Sequence, residues 1–291
     1  MSGGASRETW SFDAVGPNRD VRELILRRDP PEAPKGMALE SRLLVAAAEA
    51  GVPVPPVIAA SDDPAIVGSA FIVMARIEGE TIARRILRED AYAEARTKLA
   101  GQCGQVLARL HSIDPDKVEG LHAEDQVERY REVLDVSGEP HPVFELAFRW
   151  LEANRPPVTD GAVVHGDFRH GNLIVGTDGL RAVLDWELGH RGDPMEDLGW
   201  LCAKAWRFGA KPPVGGFGTY DQLIEGYESA GGATVDRAVL HWWETLGVLK
   251  WGIMCIMQAT AHTSGMVRSV ELAAIGRRVC ENEWDLLGML A

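Results

Sequence analysis

The sequence predicts an α+β chain in two parts: a small β-rich part over residues 1–77 and a larger, mainly helical part over 78–291. Three observations carry this. Strand-length apolar runs cluster before Ile77, with one helix-like stripe among them. Helical stripes dominate after Glu78. An island of short strand-like runs near residues 162–185 interrupts the helices. With 291 residues, 46% apolar and 25% charged, the chain can bury a sizeable core of ordinary composition.

The elements follow in order from their patterns. T-W-S-F-D-A-V alternates like a strand, and Gly16-Pro17-Asn18 marks a turn. V-R-E-L-I-L-R-R, residues 21–28, reads as a second strand with Leu24 and Leu26 on one face. Leu39, Leu43, Leu44, Ala47 and Ala48 form a helical stripe that Gly51 ends. V-P-V-P-P-V then reads as an extended connector, and A-F-I-V-M-A-R-I, residues 70–77, as a strand closed by Glu78-Gly79. Leu99, Val106, Leu107 and Leu110 place a helix over 90–111, with Asp90 as its expected N-cap. Further helices are expected near 122–136, 141–154 and from about Pro194, Tyr220, Val235 and Val267.

Composition narrows the function classes. A net charge of −13 without a Lys/Arg run argues against nucleic acid and anionic membranes as partners. The most apolar long stretch, from Leu246, carries Lys250 and Gln258 and reads as a core helix. Cys103, Cys202, Cys255 and Cys280 form no C-x-x-C pair, so all four are expected as buried thiols in a cytoplasmic protein.

The chemistry concentrates in H-G-D-F-R-H-G-N, residues 165–172, and in L-D-W-E, with Asp185. Between them, Leu173–Val175 and Leu180–Leu184 flank Gly176-Thr177-Asp178-Gly179, a strong hairpin signal. Asn172 and Asp185 therefore end the two strands on the same open side. Cross-strand partners lie about 5 Å apart, so an amide oxygen and a carboxylate converge as hard ligands suited to Mg²⁺. Asp167, on the loop entering the hairpin, is placed to accept a proton from a substrate hydroxyl. Arg169 is placed to neutralise a transferring phosphoryl group. The offsets of five and thirteen match the D-x-x-x-x-N and metal-Asp spacing of phosphoryl transfer. His165 reads as a structural hydrogen-bonding residue at a strand end.

HGDFRHGN followed by VLDWE and GDPMEDLGW resembles the aminoglycoside phosphotransferase and choline-kinase-like superfamily, whose members share a two-lobed protein-kinase-like fold. VPVPPVI, FIVMARIEGE and GDPMEDLGWL resemble the subgroup related to the kinase-like domain fused to acyl-CoA dehydrogenases. The resemblance implies ATP and Mg²⁺ as cofactors, Asp167 as catalytic base, and Asn172 and Asp185 as metal ligands. It implies Arg27 as the cation on the phosphates, with Glu40 its partner and Arg28 its competitor. It further implies Ala75 and Ile77, after Met74, as backbone partners of adenine, and Asp197 as a buttress of the catalytic loop. Gly3, Gly4 and Ser6 would offer phosphate donors, although the family's strand before that glycine turn is missing here. D-W-E in place of D-F-G implies a constitutively formed site.

A hydroxylated small molecule is the expected acceptor. Arg207, Lys250 and Arg268, among the C-terminal tryptophans, suit a neutral or anionic acceptor better than a polycation. Two other classes remain open. One is a nucleotide-binding regulator. The other is a metal-dependent hydrolase using His165, Asp167, His170 and Asp185.

Overall fold

A computed structural model describes residues 7–30, 36–159 and 161–290. Four antiparallel strands, β1 (Glu8–Val15), β2 (Val21–Arg28), β3 (Val57–Ser61) and β4 (Phe71–Ala75), form a sheet in the order β1-β2-β4-β3. Among the described residues β1 is an edge strand. The glycine turn containing Gly3, Gly4 and Ser6 lies outside them. Alternation along β2 sends Arg27 to the opposite face from Arg28, pairing it with Ile72 of β4. Helix α1 (Ala38–Glu49) buries Leu43, Leu44 and Ala47 in one core with Ile72 and Met74. Burial of each leucine contributes roughly 1.5–3 kcal/mol.

Helices follow: α2 (Pro64–Val67), α3 (Ala83–Arg88), α4 (Ala93–His111), α5 (Gln126–Ser137) and α6 (Pro142–Ala153). Strand β5 (Ala162–Val164) pairs with β8 (His190–Gly192), and between them β6 (Leu173–Gly176) pairs with β7 (Gly179–Val183). The chain ends in α7 (Met195–Cys202), α8 (Tyr220–Ser229), α9 (Arg237–Thr263), α10 (Val270–Ile275) and α11 (Val279–Met289). Helix α9 is the spine of the second core, which gathers Phe144, Phe148, Trp200, Trp206, Trp242 and Trp251. Helices α4 and α8 cross closely because glycines meet there: a Cβ on Gly104 would stand 2.3 Å from the Leu223 carbonyl oxygen. No helix among the described residues is long and apolar enough to cross a membrane.

The β6–β7 hairpin forms as its D-G turn predicts, with Gly176 opposite Gly179. Four expectations change. V-P-V-P-P-V leads into a strand, β3, which sequence alternation could not reveal because its three middle residues are exposed. Asp90 caps nothing; it opens a 3-10 turn, and α4 starts at Ala93 with Tyr92 in the cap position. Strand β8 is three residues long, too short to show a period. Cys280 is exposed, whereas Cys103, Cys202 and Cys255 are buried.

Candidate active site

The hairpin brings its two ends together as the spacing requires. The Leu184 N–H donates to the Asn172 carbonyl at 2.8 Å, extending the ladder one step beyond the strands. Asp185 follows at φ +67°, a left-handed conformation that turns the chain out of the strand. The hairpin is held between both parts of the chain: Val175 and Glu80 exchange backbone hydrogen bonds, and Val183 donates to the Pro53 carbonyl.

Asp167 is buried, and its carboxylate collects three donors. Asn172 Nδ2 reaches Oδ2 at 2.6 Å, Arg169 Nε reaches Oδ1 at 2.9 Å, and Trp200 Nε1 reaches Oδ1 at 2.8 Å. Asn172 Nδ2 also donates to the Asp167 carbonyl. Arg169 lies over the Trp206 ring at 4.4 Å, which fixes its guanidinium beside Asp167.

The loop before Asp167 is clamped by buried charges. Asp197 on α7 accepts the N–H groups of His165 and Gly166 at 2.7 and 2.9 Å. Its burial opposes the charge, but His111 at 3.2 Å and the His165 N–H outweigh this and hold the carboxyl below its ordinary pKa. Gly166 has φ +76°, and a Cβ there would meet the Leu188 carbonyl oxygen at 2.5 Å, so only glycine fits. Lys250 on α9 donates to the Gly166 carbonyl at 2.9 Å.

Opposite the hairpin, Arg27 binds Glu40 and reaches Asp185 Oδ1 at 2.8 Å. Burial opposes its charge, yet Glu40, Asp185 and Glu187 hold the guanidinium pKa above its usual value. Burial raises the Glu40 pKa despite Arg27 and Arg7. Arg28 turns away to Glu8 and the Val67 carbonyl, so Arg27 is the cation facing the hairpin. Arg7, buried, bonds Asp29 at 2.5 Å and approaches Glu40 and Glu187 at 3.6 and 3.5 Å.

Of the adenine partners expected along β4, Met74 is buried, and the Ala75 N–H already donates to the Pro56 carbonyl. The Ala75 amide is therefore already paired. Ile77 follows just beyond the strand.

The two histidines serve the loop. His165 accepts from the Asp167 N–H at Nδ1, which leaves the proton on Nε2, facing the Leu184 carbonyl at 2.9 Å. His170 is wedged between Phe208 and Phe217, and burial lowers its pKa to about 4. No group of three or more His, Cys, Asp or Glu among the described residues could hold a metal by itself. The arrangement therefore fits a hydrolytic metal centre poorly. A pair of oxygen donors fits a Mg²⁺ that takes its other ligands from phosphates and water.

Two residues stand elsewhere than expected. Lys250 is 4% exposed and engaged with the loop before Asp167, not open to an acceptor. Arg207 is committed to Glu244 and the Cys202 carbonyl. Trp200 was missed as a partner of Asp167, although its spacing held a signal. Asp197 and Trp200 are i and i+3 on one helix, so both face the loop.

A model of the phosphotransferase enzyme family matches residues 1–242. The chain belongs to this family. A mouse protein described as acyl-CoA dehydrogenase family member 10 is 31% identical over 214 residues, covering 69% of this chain and 20% of that protein. An Arabidopsis thaliana protein described as acyl-CoA dehydrogenase IBR3 is also 31% identical, covering 68% of this chain and 27% of that one. This phosphotransferase-family chain thus spans only about a fifth to a quarter of those relatives. Among solved structures, a Ralstonia eutropha protein described as an aminoglycoside phosphotransferase superposes over the whole chain and 93% of its own, with a TM-score of 0.77 and 23% identity. Spectinomycin phosphotransferase bound to ADP and spectinomycin covers 99% of the chain and 92% of its own, with a TM-score of 0.67 and 13% identity. These likenesses show the two-lobed protein-kinase-like fold of the family.

Proposed function

We propose that the protein is an ATP- and Mg²⁺-dependent kinase that moves the γ-phosphate onto a hydroxyl of a small molecule, with Asp167 as catalytic base. One observation carries this reading: the Asn172 amide binds the buried Asp167 carboxylate at one end of the hairpin, while Asp185, at the same end, is met by a guanidinium from the opposite sheet that is paired with Glu40.

Residues 1–77 would hold the nucleotide and 78–291 the acceptor. Arg27, oriented by Glu40, would bind the α- and β-phosphates in a planar, bidentate manner. Ile77 and the Ala75 carbonyl, beside Met74, would face the adenine. Asn172 Oδ1 and Asp185 would hold Mg²⁺, which when bound neutralises charge on the phosphate oxygens. The acceptor oxygen attacks the γ-phosphorus, its proton passes to Asp167, and the bond to the bridging oxygen breaks to release ADP. Arg169, beside Asp167, would offset charge on the moving phosphoryl group. Use of ATP would place the protein in the cytoplasm.

A hydroxylated acyl compound is the acceptor class we favour. Support comes from the acyl-CoA dehydrogenase relatives, since Lys250 and Arg207 are both engaged internally.

The test is titration with ATP, with and without Mg²⁺, beside an Asp167→Asn variant. The expected outcome is Mg·ATP binding in both proteins and slow turnover in the wild type that falls by roughly 10²–10⁴-fold in the variant. Binding without turnover in either protein, and no transfer to hydroxyacyl compounds, would favour a nucleotide-binding regulator. Efficient phosphorylation of kanamycin would overturn the acceptor class.

A further inference from the structure

Lys250 lies on the most apolar stretch of the chain, in the middle of α9, and is 4% exposed. A buried ammonium costs several kcal/mol unless it is paired and hydrogen-bonded. Its surroundings are built for it. Nζ donates to the Gly166 carbonyl at 2.9 Å, stands 3.5 Å from Glu196 Oε1, and lies over the Trp200 ring at 4.6 Å and the Tyr130 ring at 5.6 Å. Glu196 Oε1 has no hydrogen-bond partner, so the ammonium is its nearest compensation. Burial works against the Lys250 charge, yet Tyr130, Glu196 and Asp167 hold its pKa above the ordinary lysine value.

Two routes lead from this cation to Asp167. The first is the backbone: Gly166 immediately precedes Asp167, and its N–H and C=O are taken by opposite buried charges, Asp197 on α7 and Lys250 on α9. The second is the indole: a cation over the Trp200 face draws density from the ring, and the ring's N–H donates to Asp167 Oδ1 at 2.8 Å.

We infer that Lys250 and Trp200 are positioning residues for phosphoryl transfer, with the buried ammonium orienting the Gly166–Asp167 turn and the indole N–H aiming the Asp167 carboxylate. The inference rests on the kinase reading of Asp167 for its catalytic consequence, though not for its contacts. Neither residue touches substrate in this role. Their loss therefore lowers the rate of the chemical step and leaves nucleotide affinity alone.

The experiment uses the full chain, with Mg·ATP as the probe, and compares wild type, Trp200→Phe, Lys250→Met and Asp167→Asn. The Trp200 indole N–H is assigned among the nine tryptophans by its loss from the ¹⁵N–¹H spectrum in Trp200→Phe. Its resonance is expected downfield in the wild type and shifted upfield in both Asp167→Asn and Lys250→Met. Slow turnover is expected to fall roughly 10–100-fold in Trp200→Phe and Lys250→Met, as a misaimed catalytic group does. The KM for Mg·ATP should stay within about twofold, whereas a general loss of structure would move both.

An indole resonance that ignores both substitutions overturns the inference, whatever the rates do. A resonance that moves while turnover is unchanged overturns the positioning role. If the wild type shows no turnover but the resonance responds to both changes, the contacts stand and the kinase reading falls instead.

Discussion

Asp167, on the loop that enters the β6–β7 hairpin, and Asp185, just past its end, are held in opposite ways. Asp167, 11% exposed in its side chain, has donors from its own loop and from α7, behind which α9 packs a buried lysine. Asp185, 28% exposed, sits at positive φ and takes its hydrogen bond from Arg27, across the cleft on the first sheet. A proton acceptor must already be aimed when the hydroxyl arrives, because misplacement costs rate directly. A metal ligand must adapt, since it closes around an ion that arrives with the nucleotide. In the proposed mechanism the base, Asp167, is thus built into the helical core, and the proposed metal ligand, Asp185, is left to a contact between the two parts of the chain.

The contrast can be broken most sharply at Asp197. Asp197→Asn leaves the His165 and Gly166 amides and His111 facing a neutral group inside the core. It is expected to cost roughly 3 kcal/mol of stability, the upper end of the cost of leaving buried donors without their charged acceptor. Urea unfolding measures it, and a loss under 1 kcal/mol would mean that the clamp is slack.

His170 tests the same loop through pH. Its folded pKa is about 4, below the ordinary 6.5, so between these values the unfolded chain binds a proton that the folded chain refuses. Stability contributed by neutral His170 is thus complete above about pH 6.5 and declines as pH falls toward 4, by at most about 3 kcal/mol. Unfolding at pH 7.5 and 5 should show that slope in the wild type and less of it in His170→Leu. Equal slopes would remove the argument.

On the other side of the comparison, Arg27→Met should weaken Mg·ATP binding by roughly 10–100-fold, the worth of charged hydrogen bonds, and should also cost stability, since it leaves the buried Glu40 without its cation. Calorimetry decides the first part. Unchanged Mg·ATP binding would mean that Arg27 holds Asp185 for structure alone. The smallest effect is expected for Arg28→Ala, on the outer face of the same strand. Its part-exposed pair with Glu8 is worth under about 1 kcal/mol, and nucleotide binding should not change.

The hairpin, with Asn172 and Asp185 at its open end, and the helix that carries Asp197 were legible in the sequence because short-range rules govern them. A D-G turn sets register, and a period of two or 3.6 sets facing. Strand alternation likewise showed that only one of Arg27 and Arg28 could face the hairpin. Which of the two it is depended on where α1 and Asp185 lie across the fold. Strand β3 was hidden because an exposed edge strand carries no alternating pattern. Lys250 was misread, and Trp200 missed, for a related reason. Their sequence setting, basic and aromatic residues on C-terminal helices, suits an acceptor pocket as well as a buried clamp. Only the packing of α9 and α7 beneath the Asp167 loop decides between them. A buried ammonium must find its partners in three dimensions, and those partners, Gly166 and Glu196, lie 84 and 54 positions away along the chain.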